Sequence, residues 1–299
     1  MRVLVTGGKG FIGAWIIRRL HRRGITVAVL DVAEDPRLIT AIAGLRPHLI
    51  DWCIADIVDS AAVKRAADGC DAIIHLAGIL TPACAADPIR GAQINLLGTL
   101  NVFETARAHG ISRVIYTSSA GVFGPDDGTT PHPTTHYGTF KLACEGSARA
   151  YWADHGLASI GFRPFIVYGP GREIGLTAGP TLACRAAARR EAYTIPYSGT
   201  AGLIYADDVA SAYEAALLRA PDGAHVFNLI GDVVSNQGVI AAIRRVVPNA
   251  AITAGGPPLP ITGNVDPGNV DKFLSNLQRT ALDDGIAATI AFYQSHPQL

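Results

Sequence analysis

Tyr137 and Lys141 lie four residues apart in a stretch of helical periodicity, so they share one face of a helix. A free tyrosine titrates at about pH 10, too high for a good base near neutrality, and a nearby ammonium is a physical means of lowering it. Ser119 follows a β-branched run that ends at Ser118. A hydroxyl at such a strand end could hold a reacting oxygen while Tyr137 moves the proton. Taken singly, each residue has an ordinary explanation: a helix-cap aromatic, a solvated charge and a turn residue. Their shared order with a second motif upstream makes proton transfer the stronger reading.

That second motif is Thr6-Gly-Gly-Lys-Gly-Phe-Ile-Gly13, which directly follows one apolar run and opens a helix-period stretch. Gly7 permits a tight turn, Gly10 lets the backbone approach a pyrophosphate, and Gly13 lets helix and strand pack closely. The helix N-terminus then faces the negative charge, with the amides of Phe11, Ile12 and Gly13 in its first turn. Asp31 closes the second strand, where a carboxylate accepts hydrogen bonds from adenosine ribose hydroxyls and repels a 2′-phosphate. The expected cofactor is therefore NAD. Asp56-Ile57, after the third strand, could hold the adenine edge, although an Asp opening a loop is also ordinary turn chemistry.

The elements that must position these groups alternate along the chain. Strand-like runs at Arg2-Thr6, Thr26-Asp31, Leu49-Ala55, Ala72-Leu76, Arg113-Ser118 and Ser159-Arg163 are separated by helical stretches at Phe11-Arg23, Ser60-Ala67, Ile89-His109 and Tyr137-His155. This βαβ alternation predicts an α/β fold of Rossmann type, a doubly wound parallel sheet with a smaller C-terminal substrate-binding region. Residues 1-165 would form the NAD-binding domain, with segments near 203-230 returning to it, and residues 166-299 a smaller lid. In the lid, helices are expected near 177-190, 208-219, 235-247 and 280-295, with weaker strand candidates at Tyr193-Pro196 and His225-Leu229.

Composition narrows the class of partner. The chain of 299 residues carries 25 basic and 25 acidic side chains, with no cluster suited to nucleic acid or an anionic membrane. A small-molecule substrate is expected. The five cysteines are scattered, without C-x-x-C spacing or a histidine companion, so no metal is expected and the thiols should be reduced and mostly buried. The first strand begins at residue 2 and runs into the glycine motif, which leaves no room for a signal peptide. No apolar run reaches the roughly 18 residues of a membrane span. These features point to a cytoplasmic protein.

With these motifs in place, the chain resembles the extended short-chain dehydrogenases/reductases of the NAD-dependent epimerase/dehydratase family. The resemblance is carried by the glycine motif together with Asp56-Ile57, His75-Leu-Ala-Gly78, Asn95-Leu-Leu-Gly-Thr99, Ser118-Ser-Ala-Gly-Val-Phe-Gly124, Tyr137-Gly-Thr-Phe-Lys141 and Arg163-Pro-Phe-Ile-Val-Tyr-Gly-Pro170. It implies that Tyr137 is the general acid/base, that Lys141 binds the nicotinamide ribose and depresses the Tyr137 pKa, and that Ser119 polarises the substrate oxygen. It also implies that Leu76, Ala77, Gly78, Asn95 and Pro164 line the cofactor, and that helices 89-109 and 137-155 pair across a homodimer.

Two departures bear on substrate. Nucleotide-sugar members commonly carry an Asn after the Arg-x-Phe of the sixth strand and an Arg seven residues before the later Asp-Asp/Asp-Val segment, and both contact a diphosphate. Here those positions hold Ile166 and, counting back from Asp208, Ala201. Losing them removes several charge-assisted hydrogen bonds, each worth roughly 1.5–3 kcal/mol. The site then looks unfit for a nucleotide sugar, unless a shifted lid lets Arg172 or Arg185 supply the charge. Arg172 could equally bind a substrate carboxylate. Thr81, Cys84, His132 and His136 are the other polar residues expected near the pocket.

The expected activity is NAD-dependent oxidation of a secondary alcohol on a small, unactivated polar substrate, such as a sugar, sugar acid or hydroxy amino acid. The alternative is an NAD-dependent sugar epimerase working through a transient ketone. A dehydratase fits less well, because Ala120 and Gly121 follow Ser119 where dehydratase relatives carry an Asp-Glu pair. A non-catalytic NAD sensor would not need the proton-transfer set.

Overall fold

Parallel pairing begins at the first residues. In the computed structural model, which describes residues 1–299, β1 (Arg2–Thr6) pairs in register with β2 (Thr26–Asp31), and β2 with β3 (Asp51–Ile54). β4 (Ala72–His75), β5 (Arg113–Thr117) and β6 (Ala158–Pro164) extend the sheet on the other side of β1. Four further strands follow, β7 (Ile166–Tyr168), β8 (Tyr193–Ile195), β9 (Thr200–Tyr205) and β10 (Ala224–Leu229), of which β10 joins the edge of β6. The sheet order is β10-β6-β5-β4-β1-β2-β3, parallel throughout. The order reverses at β1, so the C-terminal ends of β1 and β4 flank a crevice where α/β folds bind ligands. β4 is buried along its whole length, as a strand covered by helices on both faces must be.

Helices α1 (Phe11–Arg22), α2 (Arg37–Ala43), α3 (Ser60–Ala66), α4 (Thr81–Ala86), α5 (Pro88–Ala92), α6 (Gly98–His109) and α7 (His136–His155) connect these strands. The expected helix 89-109 is present but contains a π-helical turn at Gln93–Leu97. The expected strand 49-55 is shorter, because Pro47–Leu49 forms a 3-10 turn. α8 (Gly179–Arg189), α9 (Ala206–Leu218), α10 (Asn236–Val246), α11 (Val270–Phe273) and α12 (Leu282–Ser295) complete the chain. No helix is long and apolar enough to cross a membrane.

The C-terminal part holds more strand than its loops suggest. β9 lies between β7, parallel to it, and β11 (Asp232–Ser235), antiparallel to it. β8 pairs with β12 (Ile252–Ala254). His225-Leu229, a weaker strand candidate inside the segment 203-230 that was expected to return to the first domain, forms the edge strand of the main sheet.

Close packing at two glycines holds α7 against the loop after β5. A Cβ on Gly138 would lie 2.0 Å from the Gly121 carbonyl oxygen and 2.9 Å from Pro133. Gly146, further along the same helix, has nothing nearer than 3.9 Å. Gly138→Ala should therefore force α7 away from the 119–122 turn and cost about 1–3 kcal/mol, as overpacking does. Gly146→Ala should stabilise the helix by up to about 1 kcal/mol. Urea unfolding of the two variants checks the contrast, and equal stabilities would mean that this helix is not seated as described.

Candidate active site

The dinucleotide cradle is made by backbone. Gly7 has φ +71°, a region that favours glycine, and a Cβ there would come within 2.7 Å of the Ala77 amide nitrogen. Its carbonyl accepts the Gly10 N–H at 3.1 Å, closing the turn that leads into α1. Gly13 approaches so closely that a Cβ would sit 2.5 Å from the Gly8 carbonyl oxygen. The first turn of α1 has neither a capping side chain nor an acidic residue, so its amides around Phe11, Ile12 and Gly13 are free for an anion. These features fit a dinucleotide diphosphate.

Asp31 ends β2 beside this turn and is 9% exposed. Its carboxylate accepts the N–H groups of Val32 at 2.8 Å and Lys9 at 3.2 Å, with the Lys9 ammonium at 3.5 Å. Burial pushes its pKa up, and the Val32 amide and Lys9 oppose the shift. Lys9, inside the glycine motif, had no assigned part in the sequence reading. Asp56 is more engaged than expected, since Arg90 of α5 pairs with one carboxylate oxygen while Val58 N–H donates to the other. Ile57 is buried, and a Cβ on Gly98 would lie 2.8 Å from it.

A directional hydrogen-bond chain joins β1, β4 and the π-turn. The Thr99 hydroxyl donates to the Asn95 carbonyl at 2.7 Å and so must accept from His75 Nε2 at 2.9 Å. That leaves His75 Nδ1 unprotonated, accepting from the Thr6 hydroxyl at 2.7 Å, whose oxygen accepts the Ala77 N–H at 3.3 Å. Asn95 is fully buried, and its amide both donates to and accepts from the backbone of Ile79. Gly78 lies between Asn95 and Lys141, where a Cβ would be 2.6 Å from Asn95 Oδ1 and 3.7 Å from Lys141 Nζ. Leu76 and Ala77 complete this loop, half-buried beside the glycine turn.

Tyr137, Lys141 and Ser119 meet at the end of β5. Thr135 caps α7 through the Gly138 N–H at 3.1 Å, which places Tyr137 in the first turn. Lys141 Nζ lies 5.7 Å from the Tyr137 ring centroid and donates to the Thr117 carbonyl at 2.7 Å. The Ser119 hydroxyl accepts the Gly121 N–H at 3.0 Å. A Cβ on Gly121 would touch both Ser119 Oγ, at 3.2 Å, and the Tyr137 ring, at 3.7 Å. The two hydroxyl-bearing side chains therefore flank one glycine.

Beneath them lies a buried ion pair that the sequence reading missed. Glu145, fully buried one turn beyond Lys141, receives Arg163 Nε at 2.7 Å and Nη2 at 2.6 Å and the Ser118 hydroxyl at 2.5 Å. The available signal was the i, i+4 spacing from Lys141, which puts Glu145 on the same helix face. Pro164, next to Arg163, is buried at the end of β6. Of the remaining candidates, His136 is exposed and stacks on Phe140, Thr81 opens α4 half-buried, and Arg172 lies over the Phe11 ring. Cys84 is buried against Asn95, and His132 is exposed.

Mutation can weigh both buried groups. Glu145→Ala leaves Arg163 without its counter-charge and should cost about 3–5 kcal/mol in urea unfolding, whereas the double replacement Glu145→Leu/Arg163→Met should cost far less. Equal losses would remove the ion pair from its assigned role. Burial, with a smaller contribution from Lys141, pushes the His75 pKa down to about 3. The unfolded chain takes up this proton near pH 6.5, so the stability contributed by neutral His75 is complete above that pH and is lost as pH falls toward 3. Between pH 6.5 and 5, His75→Gln should show a pH slope flatter than wild type by up to about 1.4 kcal/mol per unit. Parallel profiles would contradict a buried neutral ring.

The sequence matches the NAD dependent epimerase/dehydratase family over residues 3–229. A UDP-glucose 4-epimerase from Mycolicibacterium smegmatis is 28% identical, with 100% of both chains aligned. A uronate dehydrogenase from Pseudomonas putida is 31% identical over 54% of this chain and 59% of its own. Among solved structures, the UDP-glucose 4-epimerase of Thermus thermophilus in complex with NAD has a TM-score of 0.83 at 24% identity, covering 98% of this chain and 99% of that one. At that identity the likeness is one of fold.

Proposed function

This chain belongs to the NAD dependent epimerase/dehydratase family, and from that premise we propose that it oxidises a secondary alcohol on a small polar substrate carrying no nucleotide. It is an NAD-dependent enzyme of the extended short-chain dehydrogenase/reductase type. In this reading Gly7, Gly10, Phe11, Ile12 and Gly13 hold the cofactor diphosphate. Asp31 holds the adenosine ribose, Asp56 and Ile57 the adenine edge, and Leu76, Ala77, Gly78, Asn95 and Pro164 the nicotinamide end. Bound there, NAD supplies the hydride acceptor.

Ser119 holds the substrate oxygen and Tyr137 removes its proton, the Lys141 ammonium stabilising the tyrosinate before transfer and the fixed Thr117 carbonyl orienting the lysine. In the reverse direction Tyr137 returns the proton. The same proposal assigns cofactor binding to residues 1-165 with the returning segment 203-230, and substrate closure to the rest of 166-299. Exposed apolar side chains support pairing of a second copy: Ile89 on α5, Leu97 at the π-turn and Trp152 on α7.

The observation that carries the substrate reading is the packing of Ile166 and Ala201. Both are buried in the apolar core, on β7 and β9. Arg185, the second arginine that could replace the missing charge, donates to the Leu299 carbonyl at 3.2 Å. The whole-length similarity to a UDP-glucose 4-epimerase favours the second reading, an epimerase that keeps its nucleotide through each cycle. Nucleotide released on denaturing fresh protein separates the two readings: near-stoichiometric retention favours the epimerase, an empty protein that binds NAD reversibly the dehydrogenase.

Tyr137→Phe should lower turnover by about two to four orders of magnitude while leaving the NAD dissociation constant nearly unchanged. Steady-state kinetics and calorimetric titration check the two halves of that expectation. Full activity in the variant would sink the assignment of Tyr137.

A further inference from the structure

Lys141 is 3% exposed, and its ammonium has one acceptor in the protein, the Thr117 carbonyl at 2.7 Å. A buried lysine keeps its charge only where its hydrogen bonds are held in place. Thr117 closes β5, one residue beyond the last pair of the β4–β5 ladder, His75 with Tyr116. Past the end of that ladder a side chain ties the two strands together: the Thr117 hydroxyl donates to the His75 carbonyl at 3.2 Å. Its proton is committed there, so its oxygen accepts from the Tyr213 hydroxyl at 2.6 Å.

Tyr213 reaches this point from α9, in the larger apolar core, whereas Lys141 comes from α7, which packs against the smaller one. They meet at Thr117, whose side chain bonds Tyr213 and whose carbonyl bonds Lys141. Tyr213 has no exposed surface, and its ring packs on Phe162 with the centroids 4.9 Å apart. A phenylalanine would fill that space and bring no hydroxyl into the core. A buried phenol costs free energy unless its hydrogen bond is made, and the bond to Thr117 is the one that Tyr213 makes.

We propose that Tyr213 is a positioning residue for proton transfer: acting through Thr117, it fixes the carbonyl that holds the Lys141 ammonium beside Tyr137. The inference rests on the reading of Tyr137 as acid/base with Lys141 as its cation. Without the Tyr213 hydroxyl, Thr117 loses one of its two side-chain bonds and its peptide turns more freely. A buried ammonium with a loose acceptor is less stable, so the tyrosinate that it supports forms at higher pH.

The other charged or titratable groups around the pair stay in place when Tyr213 or Thr117 is changed, because none of their side chains bonds to either. Glu145 is neutralised by Arg163. Burial holds the His75 pKa down to about 3 on β4 and pushes the Cys84 thiol of α4 and the Cys144 thiol of α7 up. Arg172, in the loop after β7, is the other cation near Tyr137.

The test follows ionisation of Tyr137 by NMR in NAD-loaded protein isotope-labelled at the tyrosine Cζ, the Tyr137 resonance being the one missing from Tyr137→Phe. Tyr213→Phe and Thr117→Val should each raise the midpoint of that titration by about half to one pH unit, with the NAD dissociation constant nearly unchanged. Thr117→Ser, which keeps the hydroxyl, should restore the wild-type midpoint. Lys141→Met should raise it further, and adding Tyr213→Phe to Lys141→Met should change nothing more.

A midpoint unmoved by Tyr213→Phe but raised by Lys141→Met overturns the inference and leaves the pairing of Tyr137 with Lys141 standing. No rise in Lys141→Met removes that pairing, and the inference with it. A shift from Tyr213→Phe that persists undiminished in the Lys141→Met background also overturns it, because Tyr213 would then act on Tyr137 by a route that bypasses Thr117 and the lysine.

Discussion

Glu145 has no contact with solvent, and its charge is tolerable because Arg163 meets both of its oxygens. Removing two such charges from water costs several kcal/mol each, which only a close, fully hydrogen-bonded arrangement offsets. That requirement fixes the distance between α7 and β6. Ser118 donates to the same carboxylate, so the end of β5 is tied to it as well. The residues adjoining this knot are the ones expected to do chemistry: Ser119 follows Ser118, Lys141 lies one helical turn before Glu145, and Pro164 follows Arg163. A mechanism that needs a hydroxyl, a phenol and an ammonium held to within fractions of an ångström is supported here by an interaction that itself permits little slack.

The opposite wall of the crevice is held by neutral groups. The sequence of bonds from the Ala77 amide through Thr6, His75 and Thr99 to the Asn95 carbonyl has one consistent arrangement of protons, and it requires uncharged histidine. The Asn95 side chain then clasps the Ile79 backbone, so the loop carrying Gly78 is positioned by both the sheet and the π-turn. The Asn95 carbonyl, inside the π-turn, accepts from the Thr99 hydroxyl and from the Cys144 thiol.

Much of this was legible in the chain because it is local. The glycine motif, the strand-ending Asp31 and the Tyr137/Lys141 pair depend on spacings of a few residues, and strand and helix periods show directly in the first 165 residues. What was not legible depends on contacts between distant segments. Glu145 and Arg163 are ordinary charges until β6 is known to lie against α7. β7 has three residues after the Phe165 break, and β9 contains Ala201-Gly202, small residues with weak strand preference, so each becomes a strand through pairing with the other. The π-turn was hidden because a one-residue change of period leaves an apolar stretch looking like continuous helix. His225-Leu229 was recognisable as a strand, but its partner β6 was not.

This division between local and distant determinants separates the chemistry from its specificity. The residues proposed to transfer the proton and to hold the cofactor lie at the C-terminal edge of the parallel sheet, where strand ends and helix starts impose their geometry. Ile166 and Ala201 belong to the three-stranded sheet, paired with Leu203 and Val234 respectively, and both lie in its apolar packing. An amide or guanidinium at these positions would have to displace that packing and find partners for its own polar atoms. The two departures from the nucleotide-sugar pattern therefore lie in packed strands, not at interchangeable surface positions.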